Sequence, residues 1–473
     1  MSKEIKITVV GSGYVGLVAA VCFAELGHKV ICVDNDESKV EALRRGEVLI
    51  HEDHLPQLLE RYCNNRVRFE TDLHAAAVGS DAIFIAVGTP QSDTGDADLS
   101  YVEAVASELA RSLEHYTVIT EKSTVPVYTN EWIRRVVERN GGARELFDVA
   151  SNPEFLREGT AVSDFLHPDR IVIGADSERA AEVLRAIYAP LTSGEYYKRA
   201  DAIPGMCSAG SPPPILLTST KAAEMIKHAS NAFLAMKISF INAVSNLCEA
   251  VDTDVEEVAK GLGMDDRIGP RFLRPGIGYG GSCFPKDVAA FRSVAEQVGL
   301  DFGLLTEVEK INAAQKKHFM AKVRSTLWTL RGKKLAVLGL AFKGETDDIR
   351  ESPAIELVKS LLEEGCAIAA FDPAAMGRAA HVLPKSDKLR FAESVMDAAK
   401  DADALLLLTD WKEFAAIDLD ALKKQLKYPI MIDGRNQFDP ATMGRHGFTY
   451  LSMGRPQVHP AKSGEPATAG KSL

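Results

Sequence analysis

A single cysteine lies in a glycine-rich segment that could carry out covalent chemistry. Cys283 follows glycines at positions 278, 280 and 281, and Asp287 comes four residues later. Small residues let a backbone approach a ligand closely, and Pro285 fits the first turn of a helix. A helix beginning near residue 282 or 283 would place the thiol at the positive end of its dipole. The pattern indicates a nucleophile for covalent catalysis at a carbonyl carbon, and the alternative is a buried structural thiol.

The N-terminal residues predict the first unit of a dinucleotide-binding fold. A strand over residues 5–10 leads into the turn Gly11-Ser12-Gly13-Tyr14-Val15-Gly16, an apolar helix reaches about residue 26, and a strand over 29–33 ends at Asp34. Gly11 would make the tight turn, Gly13 would admit a pyrophosphate at the helix N-terminus, and Gly16 would let the helix pack on the strand. Asp34 would bind the adenosine ribose and repel a 2′-phosphate, which favours NAD over NADP.

Small polar segments follow two later strands. Gly88-Thr89-Pro90 comes after an apolar strand over residues 82–87, and Ser123-Thr124 comes after one over 117–121. Ligands of open α/β sheets collect at the carboxyl ends of strands, so both segments could line the cofactor site, and turn chemistry alone is the alternative. Further on, Glu154 and Glu158 are four residues apart, which predicts two carboxylates on one helical face or a solvated helix end.

The layout of the first unit is repeated about 330 residues later. A strand over 334–338, the turn Gly339–Gly344, a helix over 353–364 and a strand over 367–371 ending in Asp372 follow one another. Lys343 stands inside this turn, and Arg435 follows a further predicted strand at 430–432. These two cations favour a nucleotide diphosphate over a second dinucleotide.

The middle of the chain predicts one long helix over residues 218–250, with Lys227 and Asn231 four residues apart on one face. We therefore expect an α/β protein with two Rossmann-like, doubly wound domains joined by a long central helix. The expected boundaries are an NAD-binding domain at 1–215, a central helical region at 216–325, a second Rossmann-like domain at 326–455 and a disordered tail at 456–473. The Gly-, Ser- and Pro-rich stretch at 194–214 is expected to be a surface excursion.

Composition narrows the class of protein. The formal charge of −11 argues against nucleic acid or an acidic membrane as the main partner. No apolar stretch reaches membrane-spanning length and no signal peptide precedes the first strand, so a cytoplasmic location is expected. The seven cysteines lack CxxC spacing and a histidine cluster, so we expect no metal site.

From about residue 5 to 435 these motifs together resemble the UDP-glucose/GDP-mannose dehydrogenase family, whose members oxidise the C6 alcohol of a nucleotide sugar to a carboxylate. The resemblance implies NAD-dependent four-electron oxidation of UDP-glucose to UDP-glucuronate through a cysteine thiohemiacetal and thioester. Phe284, directly after the thiol, favours UDP-glucose over GDP-mannose. The same chemistry on GDP-mannose or a UDP-hexosamine, and a non-catalytic nucleotide-sugar sensor, stay open as alternatives. A homo-oligomer is also implied, most simply a dimer through the central helix.

The resemblance also implies a role for each site residue. Cys283 would be the nucleophile, Asp287 the base acting with a water, and Lys227 with Asn231 the stabilisers of the oxyanion, while Thr124, Glu154 and Glu158 would hold the catalytic water and the sugar. The cofactor-binding residues would be Gly11, Gly13, Tyr14, Val15, Gly16, Asp34, Lys39, Gly88, Thr89, Pro90, Ser123, Thr124, Glu158 and Arg350. The substrate-binding residues would be Glu154, Phe155, Leu156, Arg157, Glu158, Lys227, Asn231, Arg267, Phe272, Arg274, Tyr279, Gly280, Cys283, Phe284, Lys343 and Arg435.

Overall fold

The structure is a computed structural model that describes residues 4–92, 96–205 and 211–460. The chain forms two compact units. Unit 1 comprises Met1–Ser230 with Ala289–Gly299, and unit 2 comprises Asn231–Val288 with Leu300–Leu473. A separate central region over 216–325 stays a prediction.

Unit 1 is built on an eight-stranded sheet in the order β3-β2-β1-β4-β5-β6-β7-β8, in which only the β6–β7 pair is antiparallel among the described strands. The strands are β1 Lys6–Val10, β2 Lys29–Val33, β3 Val67–Glu70, β4 Ala82–Ile85, β5 Thr117–Glu121, β6 Phe147–Ser151, β7 Ile171–Ala175 and β8 Ile215–Thr218. The helices are α1 Tyr14–Glu25, α2 Glu37–Arg44, α3 Leu55–Tyr62, α4 Leu73–Ala77, α5 Ser100–Leu109, α6 Thr129–Arg139, α7 Ala161–Leu166 and α8 Glu178–Thr192.

Unit 2 contains a six-stranded parallel sheet in the order β11-β10-β9-β12-β13-β14. Its strands are β9 Lys334–Leu338, β10 Ala367–Phe371, β11 Leu389–Phe391, β12 Ala404–Leu407, β13 Ile430–Asp433 and β14 Thr449–Leu451. The remaining helices are α9 Thr220–Ala250, α10 Val255–Gly263, α11 Phe284–Gln297, α12 Gly303–Leu327, α13 Pro353–Glu363, α14 Met376–Val382, α15 Val395–Ala399, α16 Lys412–Ala415, α17 Leu419–Gln425 and α18 Pro440–Arg445. Helices α9 and α11 each contribute residues to both units.

Both sheets are covered on both faces, as continuous apolar strands predict. In β4, Phe84 packs in one hydrophobic core while Ile83 and Ile85 pack in the core on the other face. In β12, Leu406 and Leu405 divide between two cores in the same way. Counted within each unit, the strand order 3-2-1-4-5-6 of a doubly wound fold occurs in both sheets. Together with the long helix α9, this confirms the predicted α/β fold class.

The predicted helix carrying Glu154 and Glu158 is wrong. Residues 152–157 have no helical structure, and α7 begins only at Ala161. Pro153 disfavours the helical conformation for the residue before it, and Gly159 adopts a left-handed φ of 82°. The two carboxylates therefore lie on an irregular loop, where each is positioned by its own contacts.

The predicted surface excursion is partly buried. Tyr196 and Ile203 are each 1% exposed and belong to the main core of unit 1. The Ile203 N–H also donates to the Tyr196 hydroxyl oxygen at 2.9 Å, so residues 196–203 fold back on the domain. Residues 206–210 lie outside the described part of the chain, as do residues 461–473 of the expected tail; Val458, within that tail, forms a β-bridge with Tyr450.

Candidate active site

The glycine turn after β1 has three different environments at its three glycines. Gly11 has a left-handed φ of 103°, and a Cβ added there would meet the Ala86 carbonyl oxygen at 2.5 Å. A Cβ added at Gly16 would lie 1.9 Å from the Gly11 oxygen, whereas one at Gly13 would meet nothing within 4 Å. Gly13 immediately precedes α1. The turn thus leaves open space at the helix N-terminus, where a pyrophosphate fits.

Asp34, at the end of β2, is held by the turn it faces. Its Oδ2 accepts hydrogen bonds from the Ser12 backbone at 2.8 Å and the Ser12 hydroxyl at 2.6 Å. Its Oδ1 accepts from the Asp36 N–H at 3.0 Å, and Lys39 Nζ lies 4.0 Å away. Burial raises the pKa of Asp34, but these hydrogen bonds and the lysine outweigh burial and lower it. Asp34 is therefore an ionised acceptor beside the open space of the turn.

The two predicted wall segments are joined to each other. The Thr89 hydroxyl donates to the Thr124 carbonyl oxygen at 3.0 Å, and the Ser123 hydroxyl donates to the Val87 carbonyl oxygen at 2.9 Å. A Cβ added at Gly88, between them, would meet nothing within 4 Å. The segments that follow β4 and β5 are thus hydrogen-bonded to each other, and Pro90 directly follows Thr89 in the first of them.

Lys227 and Glu154 form a buried ion pair in unit 1. Lys227 Nζ donates to Glu154 Oε1 at 2.8 Å, and both side chains are 5% exposed. Glu154 Oε2 accepts from the Leu156 N–H at 2.6 Å, which fixes the carboxylate within its loop. The Phe155 ring lies 5.3 Å from the Lys227 ammonium, and the Arg170 guanidinium lies 3.8 Å from the same ring.

A second buried cation near this pair carried no recognised signal in the sequence. Lys122 donates to the Asn152 side-chain oxygen at 3.1 Å, and the Tyr188 hydroxyl donates to the same oxygen at 2.5 Å. Burial lowers the pKa of Lys122 to about 8, partly opposed by the charge of Glu154 and reinforced by that of Lys227. The sequence assigned Lys122 no role of its own, because residues 30 and more positions apart meet here.

The thiol and its carboxylate lie together in unit 2. Cys283 directly precedes α11, as predicted, and its carbonyl oxygen accepts from the Asp287 N–H at 2.9 Å. The Asp287 side chain is 1% exposed and accepts from Asn231 Nδ2 at 2.6 Å and from Lys286 Nζ at 2.6 Å. Asn231 therefore contacts the predicted base, and α9 carries it one turn beyond Lys227.

The glycines before the thiol pack against the segment 342–351. A Cβ at Gly280 would lie 2.1 Å from the Glu351 carbonyl oxygen, and one at Gly281 would lie 2.8 Å from the Phe342 ring. The Gly281 N–H donates to the Arg350 carbonyl oxygen at 3.0 Å. These contacts require glycine, because any side chain would push the thiol segment away from its support.

Arg435 connects three parts of unit 2 through backbone carbonyls. Its Nε donates to Leu408 at 2.9 Å, one terminal nitrogen to Gly278 at 3.3 Å and the other to Phe342 at 2.7 Å. Burial lowers the pKa of Arg435, and the charge of Asp410 opposes that shift. Lys343 Nζ lies 5.8 Å from the Phe342 ring, so both predicted phosphate-binding cations lie at this turn.

The remaining predicted residues have their own partners. Tyr279 and Phe272 both pack edge-on against the Phe284 ring, with centroids 5.8 and 6.2 Å apart. Arginine side chains pair with carboxylates as follows: Arg157 with Asp164, Arg267 with Asp265, Arg274 with Asp410, and Arg350 with Asp348. Tyr14 and Val15 pack against the core of unit 1, and Glu158 lies half-buried in the turn before α7.

A Rossmann unit with an open glycine turn and an acidic β2 terminus, together with a unit that carries a thiol at a helix start, defines an NAD-dependent dehydrogenase. Comparison with known proteins agrees. Residues 5–192 match the NAD binding domain, residues 221–314 the central domain and residues 336–440 the UDP binding domain of the UDP-glucose/GDP-mannose dehydrogenase family. The chain belongs to this family.

Several relatives are similar over almost their full length. UDP-glucose 6-dehydrogenase TuaD of Bacillus subtilis is 43% identical, covering 96% of this chain and 94% of the relative. UDP-glucose 6-dehydrogenase of Rhizobium meliloti is 44% identical, covering 95% and 100%. The solved UDP-glucose dehydrogenase of Pyrobaculum islandicum has a TM-score of 0.82 at 38% identity, covering 92% and 95%.

These comparisons confirm the predicted family, its enzyme class, NAD as cofactor and a nucleotide sugar as substrate. No helix within the described ranges is long and apolar enough to cross a membrane. The roles of individual site residues stay predictions.

Proposed function

We propose that this enzyme oxidises UDP-glucose to UDP-glucuronate in two steps, with Cys283 as the covalent nucleophile. The observation that carries the proposal is the thiol at the start of α11, with the buried Asp287 held one turn later by Asn231. Overall, UDP-glucose, two NAD⁺ and water would give UDP-glucuronate, two NADH and three protons.

The residues of the first turn fit NAD, because Gly13 leaves room at the helix N-terminus and Asp34 offers an ionised acceptor beside it. Gly11, Gly16 and the surface of Thr89 with Ser123 would complete the cofactor site. When bound, NAD accepts a hydride in each of the two oxidations.

The side chains would divide the remaining work. Asp287, through a water, would take the proton of the C6 hydroxyl in the first oxidation. The Cys283 thiolate would then add to the aldehyde carbon, forming a C–S bond while the carbonyl oxygen takes up a proton. Lys227 would stabilise that oxygen while it is negative, with Glu154 holding the ammonium in place.

The second oxidation would convert the thiohemiacetal to a thioester. Water would then break the C–S bond, which releases the carboxylate and returns the thiol. Glu154 and Thr124 would hold this water. Covalent capture would keep the aldehyde on the enzyme between the two oxidations.

UDP-glucose is the proposed sugar because the relatives similar at 43% and 44% identity are UDP-glucose 6-dehydrogenases. A UDP-hexosamine is the second candidate, since the solved UDP-D-ManNAc dehydrogenase of Pyrococcus horikoshii has a TM-score of 0.80 at 27% identity, covering 95% of this chain and 99% of that one. The test is NADH formation at 340 nm with UDP-glucose, GDP-mannose and a UDP-N-acetylhexosamine. A rate with UDP-glucose below that with either competitor would contradict the proposed substrate.

The nucleophile is tested with Cys283→Ala. This variant should bind UDP-glucose but lose turnover to the acid, and Cys283→Ser should stall as an ester because an oxygen ester hydrolyses less readily than a thioester here. Cys63→Ala removes another half-buried thiol and should keep full activity. Two equivalents of NADH per sugar from Cys283→Ala would rule out the covalent mechanism.

We also propose a homodimer through α9. Phe233, Phe240 and Leu247 recur every seven residues along this helix and are 58%, 53% and 63% exposed. An apolar stripe of this spacing is suited to packing against a second helix, here that of a second copy. Light scattering after gel filtration should show a dimer for the wild type and a monomer for Phe240→Asp. Trp328→Asp, which removes an aromatic side chain 95% exposed elsewhere in unit 2, should stay dimeric.

A cytoplasmic location stays a prediction.

A further inference from the structure

We propose that Asn312 is the positioning residue of the nucleophile loop, defined as residues 278–283. The inference rests on the proposed role of Cys283 as nucleophile. Asn312 lies on α12, whereas the loop precedes α11, and neither the sequence motifs nor the family resemblance pointed to this residue.

One side chain satisfies both backbone groups of one loop residue. Asn312 Oδ1 accepts from the Tyr279 N–H at 2.8 Å, and Asn312 Nδ2 donates to the Tyr279 carbonyl oxygen at 3.0 Å. A carboxamide presents a donor and an acceptor side by side, as a neighbouring β-strand does. Asn312 therefore fixes the position of the Tyr279 backbone in two directions.

The loop is shaped to receive this carboxamide. Gly278 has a left-handed φ of 105°, and a Cβ added there would lie 2.7 Å from Asn312 Oδ1. Glycine is thus required both for the backbone conformation and for the approach of the side chain. Since Tyr279 is 8% exposed and packs on Phe284 at the start of α11, the fixed residue also contacts the helix that follows the thiol.

The route from Asn312 to the thiol is short. Three residues separate Tyr279 from Cys283, and within them Gly281 is hydrogen-bonded to Arg350 and packs against the Phe342 ring. Cys283 in turn begins α11 through its bond with Asp287. A loop held at these points has little freedom, so releasing the Tyr279 contact should misplace the sulfur relative to the aldehyde carbon.

The packing of α12 supplies a matched control. Gln315, three residues further along this helix, is fully buried and accepts from Asn246 Nδ2 at 3.1 Å. Gln315 therefore has a structural contact with α9, and within the described ranges it makes no hydrogen bond with the nucleophile loop. Truncating it perturbs α12 without releasing Tyr279.

The experiment compares Asn312→Ala with the wild type in a single turnover followed at 340 nm. The second phase of NADH formation should slow about ten- to a hundredfold relative to the first phase, because attack by the thiol is sensitive to misplacement. In enzyme without NAD, the rate of Cys283 alkylation by iodoacetamide should change at least about threefold. Gln315→Ala should lower the melting temperature and leave the ratio of the two phases unchanged.

Asn312→Asp provides a variant of the same shape, which keeps the acceptor for the Tyr279 N–H and loses the donor to its carbonyl oxygen. It should slow the second phase in the same direction. Unchanged phase ratios and alkylation rates in folded Asn312→Ala and Asn312→Asp, with Cys283→Ala stalled, would overturn the positioning role alone. Full two-step turnover by Cys283→Ala would instead overturn the proposed function on which it rests.

Discussion

The two glycine turns of this protein begin alike and end differently. Gly11 and Gly339 both have a left-handed φ, 103° and 93°, and both donate their N–H to the last residue of the neighbouring strand, Val33 at 2.7 Å and Phe371 at 2.8 Å. In the first turn α1 starts at Tyr14, only three residues later, whereas in the second turn α13 starts at Pro353. The second turn therefore lacks the helix N-terminus that binds a pyrophosphate.

The aspartates that follow the second strand of each unit, Asp34 after β2 and Asp372 after β10, also differ in their burial and hydrogen bonds. Asp372 is fully buried and accepts four backbone N–H groups, from Leu340, Ala341, Ala374 and Ala375, and also the Trp411 indole N–H at 3.3 Å. Within the part of the chain that the structure describes, Asp34 accepts hydrogen bonds from Ser12 and Asp36 alone, and its side chain stays partly exposed. The same position holds the backbone together in unit 2 and is proposed to bind the cofactor in unit 1, so a repeated fold does not imply a repeated site.

The largest expected effect comes from exchanging these two acids for alanine. Asp372→Ala should lose about 3 kcal/mol or more of unfolding free energy, because buried N–H groups lose their acceptor. Asp34→Ala should lose less unfolding free energy than Asp372→Ala. It should instead weaken NAD binding and reduce the preference of the enzyme for NAD over NADP. Denaturant unfolding measures the change in stability of each variant, and the KM values for NAD and NADP measure the change in cofactor binding. A larger loss of stability in Asp34→Ala would contradict the division of roles.

A smaller effect separates two glycines within the first turn. Gly13→Val should raise the KM for NAD about tenfold or more with an almost unchanged melting temperature, because its added atoms enter open space meant for the cofactor. Gly16→Ala should instead lower the melting temperature, since its Cβ would lie 1.9 Å from the Gly11 oxygen. The fit of NAD to this turn would be wrong if Gly13→Val kept wild-type NAD affinity.

A substitution in the second glycine turn should change the binding of the substrate and not that of NAD. Lys343→Ala should raise the KM for UDP-glucose about tenfold, because one charge-assisted contact with a phosphate is worth roughly 1.5–3 kcal/mol. The KM for NAD should change little. Lys412→Ala, which removes an exposed lysine of unit 2 paired with Glu345, is the control for charge. A rise confined to the KM for NAD would show that the two turns have been assigned the wrong ligands.

Much of this architecture was predictable because strands and glycine turns are local patterns. The segments at 29–33, 117–121, 334–338 and 367–371 form strands as predicted. The contacts of Asn312 and Lys122 were not predictable, since each of them joins residues 30 or more positions apart. The helix expected around Glu154 failed for another reason: spacing of four suggests a helix, but Pro153 and Gly159 make a loop.

The acids that end the fifth strand of each sheet extend the comparison. Asp433, at the end of β13, accepts from Arg435, Gln437, Phe438 and Tyr450. Glu121, at the end of β5, accepts from the Ser123 N–H at 2.6 Å, and its Oε2 is buried with no hydrogen-bond partner among the described residues. Burial therefore raises the pKa of Glu121 to about 8, and the nearby Glu224 adds to this while Ser123 opposes it.

The last expected effect is a dependence of folding stability on pH, caused by this carboxyl group. Between its usual pKa of 4.5 and the raised value of about 8, folded Glu121 holds a proton that the unfolded chain releases, so its contribution to stability is lost as pH rises through that range. Glu121→Gln keeps the shape of the protonated acid and does not titrate. It should therefore gain stability relative to the wild type, by about 1 kcal/mol or more between pH 5 and pH 8, in denaturant unfolding. Asp433→Asn should instead lose stability, because its donors lose an acceptor. Parallel pH profiles for Glu121→Gln and the wild type would mean that Glu121 is ionised in the folded protein and that the two strand ends do not differ in this way.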